Sequence, residues 1–338
     1  MVEIDGSRGE GGGQILRTSL GLSCLFAKPF HMVNIRKNRR RPGLMPQHLA
    51  SVKAAQAVAN AWVEGADIGS VELKFRPDSI GSGHFFFDVG TAGSTSLVLQ
   101  TILPALVLHT DAISTVTIAG GTHVPSSPCF HYLAMVFAPL LKTMGAAIES
   151  DIEAYGFYPR GCGKITCRIH GTEDIRPLDL MTSSGLEAVS ILSGVCNLPV
   201  SIAQRQARAA EREIEALVDE IGIVPIELID ARRHGPGKGT FLFLNSRRGG
   251  VAAGFTAFGA PGKKAEDVGR EAARAFLKYF AANAALDPYI TDQIVLYAAI
   301  CKKRSVFTTS EITSHMLTNL WVIEQFIPIR YQVDGDIG

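Results

Sequence analysis

Short apolar runs of strand length alternate along the chain with longer segments in which apolar residues recur every three to four positions. A period near two marks a half-buried strand, and a period near 3.6 marks a helix face. Interleaved strands and helices predict a mixed fold of the α/β or α+β class. The first stretch predicts a strand at Val2–Asp5, a helix at Gln14–Phe26, a strand at Phe30–Arg36, a helix at Pro46–Ala61 and two short strands within Trp62–Phe75. The second predicts a strand at His84–Val89, a helix at Ser94–Leu108, a strand at Ser114–Ala119 and a helix at Phe130–Gly145, closed by strands in Ala146–Phe157 and Gly163–His170. Both stretches read strand, helix, strand, helix, strand, strand. In each, the first strand ends in an acid and runs through a glycine-containing turn, Asp5 through Gly13 and Asp88 through Gly93. We read a repeated unit from this shared order.

A third unit begins near Ile165 and is interrupted. Residues 181–280 carry their own series: strands at Ala188–Ser193, Pro225–Ile229 and Thr240–Leu244, and helices at Ala203–Ile221 and Lys263–Ala282. We read 181–280 as a small α/β domain inserted into a large domain of 1–180 and 281–338, because insertions enter at surface turns and leave the host core intact. The third unit then resumes with a helix at Ile290–Cys301, a strand at Ser305–Thr309, a helix at His315–Phe326 and a strand at Ile329–Val333.

Composition narrows the function. Of 338 residues, 46% are hydrophobic and 19% charged, enough for a core and too apolar for extended disorder. The net charge is +1, so a nucleic-acid site would be a local patch. Six scattered cysteines with no C-x-x-C pair argue against a zinc site. The N-terminal residues lack the basic and apolar regions of a secretory leader, and the longest apolar runs, such as Thr101–His109, are too short to span a bilayer. These features predict a soluble protein with no membrane partner and reduced thiols, cytoplasmic or, in a eukaryote, nuclear.

Candidate chemistry sits in three places. The turn GSRGEGGGQ, Gly6–Gln14, lies between a strand and a helix, where glycines admit close approach and the helix start offers free N–H groups to an anion. It matches neither a P-loop nor a dinucleotide fingerprint, and a flexible turn accounts for it equally well. Glu10 inside it would repel phosphate unless the two share a divalent cation. Gln14 and Arg17 share one helix face beyond the turn. The run IRKNRRRPG places Arg36, Lys37, Arg39, Arg40 and Arg41 at a strand end with no acid nearby, which favours phosphate binding. Gln47 and His48 follow, and His48 reads as a packed helix residue. His315 opens an apolar helix that Thr313 or Ser314 can cap. A neutral imidazole there is a nucleophile towards phosphorus, although a histidine that merely starts a helix is commoner. In the small domain, Arg205, Arg208 and Arg212 share a helix face that could touch RNA, although Glu211 and Glu215 within pairing distance of Arg208 and Arg212 favour a solvated face.

Taken together, DGSRGEGGGQILR, IRKNRRRPGLMPQHL, GTAGSTSLVLQTILPAL, GGTHVPSSP, GFYPRGCG, DQIVLYAA and SHMLTNL resemble the RNA 3'-terminal phosphate cyclase family, in the family's order and over essentially the whole chain. The resemblance implies three βαβαββ units like the C-terminal domain of translation initiation factor three, with a smaller domain inserted in the third. It implies ATP and RNA 3'-phosphate ends as substrates, a divalent metal (Mg or Mn), and a covalent histidine–AMP intermediate that passes AMP to the RNA end before a 2',3'-cyclic phosphate closes. By motif position, His315 resembles the nucleophile and Glu10 a metal-binding carboxylate. Gln14, Arg17, Arg36, Arg39, Gln47 and Gln100 resemble residues lining the phosphate pocket. Tyr289 resembles the aromatic that stacks on adenine, with Asp292 and Gln293 its polar neighbours. His123, Cys129 and Cys162 depart from the family's pattern and bear on substrate fit, not on nucleotide chemistry. A non-catalytic, cyclase-like ribosome-assembly factor is the main alternative, against which the presence of His315, Glu10 and Arg17 argues. An enolpyruvyl transferase is the second, on fold analogy alone.

Overall fold

The computed structural model describes residues 1–108, 112–181, 185–217, 224–231 and 236–337. The mixed α/β class holds. The first sheet comprises β1 (Val2–Asp5), β2 (Phe30–Val33), β3 (Trp62–Glu64) and β4 (Leu73–Arg76), in the order β1-β2-β4-β3. Between the strands lie α1 (Gly13–Phe26) and α2 (Pro46–Val58). The second sheet comprises β5 (His84–Asp88), β6 (Ile113–Gly120), β7 (Ala147–Ala154) and β8 (Gly163–His170), in the order β5-β6-β8-β7. Its helical parts are α3 (Thr95–Leu108) and a run of α4 (Phe130–Tyr132), a π-helical segment (Leu133–Phe137) and α5 (Ala138–Thr143). In both sheets the first pair is parallel and the other two pairs are antiparallel.

A two-stranded parallel sheet joins β9 (Asp179–Leu180) to a strand 127 residues later in register. Between them lies a four-stranded sheet of β10 (Leu186–Cys196), β11 (Ile226–Asp230), β12 (Gly239–Arg248) and β13 (Val251–Phe258), ordered β11-β10-β12-β13. It is covered by α6 (Val200–Glu213) and α7 (Ala265–Ala282). The chain then gives α8 (Pro288–Ile300), β14 (Val306–Phe307), which pairs with β9, and α9 (Ser314–Phe326).

α1 packs against α2, α3 and α9, so it is buried on most sides. Its Ile15, Leu16, Leu20 and Leu22 are fully enclosed, and burying each such side chain stabilises by about 1.5–3 kcal/mol. A separate apolar cluster joins β10, β12 and β13 to α6 and α7 through Ile191, Leu242, Phe255, Phe276 and Tyr279. No helix among the described residues is long and apolar enough to cross a membrane.

Several sequence expectations need correction. The strand expected through Arg36 stops at Val33, because Asn34 and Arg36 adopt left-handed backbone at φ 55°. The helix expected over Phe130–Gly145 is interrupted by the π segment, next to Pro139, which has no N–H for the Met135 carbonyl. Residues 329–333 form no strand, since Tyr331 and Val333 are exposed and bury no face. β13 was not anticipated at all, because VAAGFTAF is apolar or small on both faces and shows no alternation. The helix expected over Ala203–Ile221 runs Val200–Glu213, and its last four expected residues lie outside the described ones. Arg205 is engaged by Glu266 of α7, at 2.7 and 2.9 Å.

Candidate active site

Two adjoining features form the site: the turn after β1, and a cavity of about 800 Å³ lined by α1, α3, α8 and the start of α9. The turn lies along α9. Arg8 stacks 4.8 Å over the Trp321 ring, and the Glu10 amide donates to Thr318 Oγ1 at 3.3 Å. Gly9 has φ 58°, and a Cβ there would fall 2.3 Å from Thr318 Oγ1, so the position requires glycine twice over. The Glu10 carboxylate is largely buried and pairs with Arg39, whose Nη2 also donates to the Glu10 carbonyl at 3.0 Å. A Cβ on Gly12 would lie 2.5 Å from both Glu10 carboxylate oxygens and 2.7 Å from Arg39 Nη2. This glycine therefore makes the space in which the acid and the guanidinium meet. Gly12 caps α1 without a side-chain acceptor, which leaves the first helical N–H groups open to an anion.

Arg17 is half-buried on α1 and donates to Gln14 Oε1 at 3.0 Å. Burial lowers it to about 10 and Glu10 opposes the shift, so it stays cationic at neutral pH. His48 is buried beside it. Its Nδ1 accepts from the Met45 amide at 3.2 Å and closes the N-terminus of α2. Burial, then Arg17 and Arg36, push this imidazole down to about 3. His48 is thus a neutral residue that caps α2, where the sequence implied only a packed helix position. Arg36 donates to the carbonyls of Arg41 and Gly43 at 2.7 and 2.8 Å and straps its own loop.

The cavity brings helix starts together. Asp287 caps α8, and its Oδ1 accepts from the amides of Tyr289 and Ile290 at 2.9 Å and from the Tyr132 hydroxyl at 2.7 Å. Its Oδ2 accepts from the Gly254 amide at 3.2 Å, while burial pushes the carboxyl up to about 6. These bonds fix the backbone that presents Tyr289, whose half-exposed ring sits edge-on to Tyr132. Gln293 donates to the Tyr289 carbonyl at 2.7 Å and accepts from Gln100 of α3. Thr313 caps α9 by accepting from the Met316 amide at 3.0 Å, and donates to Asp292 Oδ1. Burial raises Asp292 to about 7, opposed by the Thr313 bond. His315 lies on the first turn of α9, exposed at the cavity.

Asn319 joins these parts. Its Oδ1 accepts from Gln14 Nε2 at 3.0 Å and Thr18 Oγ1 at 2.7 Å, and its Nδ2 donates to the Asp292 carbonyl at 2.6 Å. One polar chain therefore runs from Arg17 through Gln14 and Asn319 to Asp292, linking α1, α9 and α8.

Of the residues expected from sequence, Gln14, Arg17, Gln100, Tyr289, Asp292, Gln293 and His315 line this one cavity. Glu10, Arg36 and Arg39 gather at the adjoining turn. Gln47 does not line the cavity; its Oε1 accepts from the Ser94 amide at 3.0 Å and supports the turn before α3. Sequence reasoning missed Asn319, Thr18 and Asp287. An Asp directly before a helix-initial proline is a recognisable cap signal and could have found Asp287. Asn319 and Thr18 are ordinary helix residues in sequence, and no signal marks them.

An exposed imidazole, a guanidinium and an aromatic face on one cavity suit a phosphorylated ligand with a planar base. Glu10 is the one carboxylate at this turn and is engaged by Arg39, so a divalent cation held by it with phosphate oxygens and water would take the place of that pairing. The model of the family described as RNA 3'-terminal phosphate cyclase matches residues 8–333. A protein of that name from Pyrobaculum neutrophilum is 43% identical over 98% of this chain and 95% of its own. One from Sulfolobus acidocaldarius is 44% identical over 99% and 97%. One from Pyrococcus furiosus is 40% identical over 100% and 96%.

Proposed function

The chain belongs to the RNA 3'-terminal phosphate cyclase family, and we propose that it converts an RNA 3'-phosphate end into a 2',3'-cyclic phosphate at the expense of ATP. The observation that carries the reading is the meeting of His315, Arg17 and Tyr289 on one cavity. The imidazole of His315 attacks the α-phosphorus of ATP, the bond to the β-phosphate breaks and pyrophosphate leaves. AMP then passes from the histidine to an oxygen of the RNA 3'-phosphate. The vicinal 2'-hydroxyl attacks that phosphorus, the ring closes and AMP departs. A phosphate monoester has no good leaving group, and AMP supplies one in two easier steps.

The residues have distinct tasks in this scheme. Tyr289 takes the adenine face, Asp292 and Gln293 are its polar neighbours, and Gln100 lines the pocket beside them. Arg17 and Arg39 stabilise charge developing on phosphoryl oxygens, helped by the uncapped start of α1. Arg36 holds the basic loop in shape. Glu10 would hold a divalent cation, Mg or Mn, together with substrate phosphates, and the bound cation would offset phosphoryl charge. The like order of the two main four-stranded sheets supports a three-unit description. β9, α8, β14 and α9 stand as the third copy without its last two strands, and 181–280 as its insertion.

The test is incubation with α-labelled ATP and a divalent metal, followed by addition of RNA ending in a 3'-phosphate. Acid-labile label on the wild-type chain and a cyclic-phosphate product are expected. Absence of both would return the chain to a non-catalytic, ribosome-assembly role.

A further inference from the structure

His123, Cys129 and His131 lie together in the interior, behind the cavity wall that includes Tyr132 and Thr256. Their ligand atoms all fall within 4.8 Å of one another, and all three residues are buried. His123 Nε2 stands 2.9 Å from His131 Nδ1, and His123 Nδ1 stands 2.9 Å from Thr122 Oγ1. The Cys129 sulfur has Thr256 Oγ1 and the Tyr132 amide at 3.4 Å. Around them is an aromatic cage. The His123 ring lies 4.3 Å from that of Phe241, 5.1 Å from Tyr155 and 5.5 Å from Phe157, and His131 lies 5.1 Å from Phe241.

We propose that His123 Nε2, His131 Nδ1 and Cys129 Sγ form a binding site for a monovalent soft metal ion, Cu(I). The atoms are the right kind, since a thiolate selects soft ions and imidazole completes the set. Charge selects among such ions. One thiolate and two neutral imidazoles make a neutral complex with Cu(I), whereas Zn(II) would leave a net positive charge in a dry cage, which is costly. Zn(II) also takes four ligands, and Cu(I) is content with three. Thr122 orients His123 from behind, accepting from Nδ1–H in the metal-bound tautomer, as outer partners of metal-bound histidines do. Two nitrogens bound at about 2.0 Å in a trigonal site sit roughly 3.5 Å apart, so the rings need to part by only ~0.6 Å. The buried Cys129 enters as its neutral thiol, Sγ–H. The Cu–S bond forms as that proton leaves to solvent, with no change of oxidation state. The ligands bracket Pro125, Ser126, Ser127 and Pro128, which line the active-site cavity. The bound ion would therefore pin one wall of that cavity.

The test uses the full chain carrying Cys162→Ser, which removes the exposed thiol. The protein is refolded anaerobically with excess Cu(I), supplied as its acetonitrile complex, or separately with Zn(II), and then challenged with a chelator. One retained Cu(I) per chain is expected, with one sulfur and two nitrogen neighbours by X-ray absorption and a raised melting temperature. Cys129→Ser and His123→Asn should lose both the retained ion and the rise in melting temperature. If these variants do not fold, the absorption spectrum of the unaltered site decides alone. Failure to retain Cu(I), preference for Zn(II), a shell without nitrogen, or retention unchanged in a folded Cys129→Ser protein would each overturn the proposal.

Discussion

The turns after β1 and β5 occupy the same place in sheets of the same order and each begins with an amide bonded to the strand-end acid, yet the helix starts they lead to differ. In the second turn the polar groups are satisfied within the protein. The Gly90 amide donates to Asp88 at 2.8 Å, the Gly93 amide to Thr91 at 3.2 Å, and the Ser94 amide to Gln47. Ser94 Oγ then accepts from the Leu97 amide at 3.3 Å and caps α3. In the first turn α1 has no side-chain cap, and the neighbouring side chains are Glu10, Arg17 and Arg39. A capped helix start is finished structure, and an uncapped one beside cations is a phosphate site in waiting. The scaffold alone does not decide function; the disposition of its end groups does.

The strongest way to break this contrast is to remove the proposed nucleophile, His315, from the cavity beside the first turn. His315→Ala and His315→Asn should lower self-labelling and cyclisation by on the order of 10⁴-fold or more. Folding should persist, because the side chain is exposed. RNA supplied already adenylated at its 3'-phosphate should still cyclise on His315→Ala faster than in buffer, since closure needs only positioning and charge stabilisation. Label on either variant would move the nucleophile elsewhere. Loss of the closure advantage would give His315 a second role.

Next in size are the cations. Arg17→Ala and Arg39→Ala should reduce turnover by about 10²- to 10³-fold, as removing a transition-state donor does. Their Lys counterparts should recover part of that, because charge is kept and the planar fork is lost. Lys variants equal to wild type would mean that charge alone acts there.

The glycines compare the two turns directly. Gly12→Ala should displace Glu10 and Arg39 and slow adenylation by roughly tenfold, with little change in melting temperature. Gly90 has φ 68° with open space around it, so Gly90→Ala should leave activity alone and cost about 1 kcal/mol of stability from left-handed strain. The contrast fails if both substitutions change the same quantity.

Much of this was readable in the sequence. Strands and helices with clean periodicity emerged near their observed bounds, and the motif positions named seven of the residues that line the cavity. Chemistry alone favoured a bland His315, because a histidine at a helix start looks alike whether or not a cavity faces it. Asn319 escaped notice because its value lies in joining three helices that are far apart in sequence. The cluster at His123, Cys129 and His131 escaped for another reason: its spacing matches no familiar ligand pattern, and two of the three were noticed only as departures. The false strand at 329–333 had alternation without a partner, and the missed β13 had a partner without alternation.

The smallest expected effect concerns Asp292, at the far end of the chain that begins at Arg17. Burial raises its carboxyl from the ordinary value of 3.8 to about 7. The folded protein therefore binds that proton more tightly than the unfolded chain does. The resulting stabilisation is complete below about pH 4 and is lost as pH rises through 7. Asp292→Asn keeps the shape, remains neutral and removes this dependence. It should match wild type near pH 4, then exceed it above pH 7 by on the order of 1 kcal/mol, the shift being discounted for partial solvent access. That corresponds to a few degrees in melting temperature. Melting curves of both proteins across this range make the check. Curves that stay parallel would mean that Asp292 is ionised in the fold at all these pH values, with Thr313 and solvent meeting its charge. The first site would then be wetter at its α8 side than its burial implies, and the contrast with the self-contained second turn would rest on the cations alone.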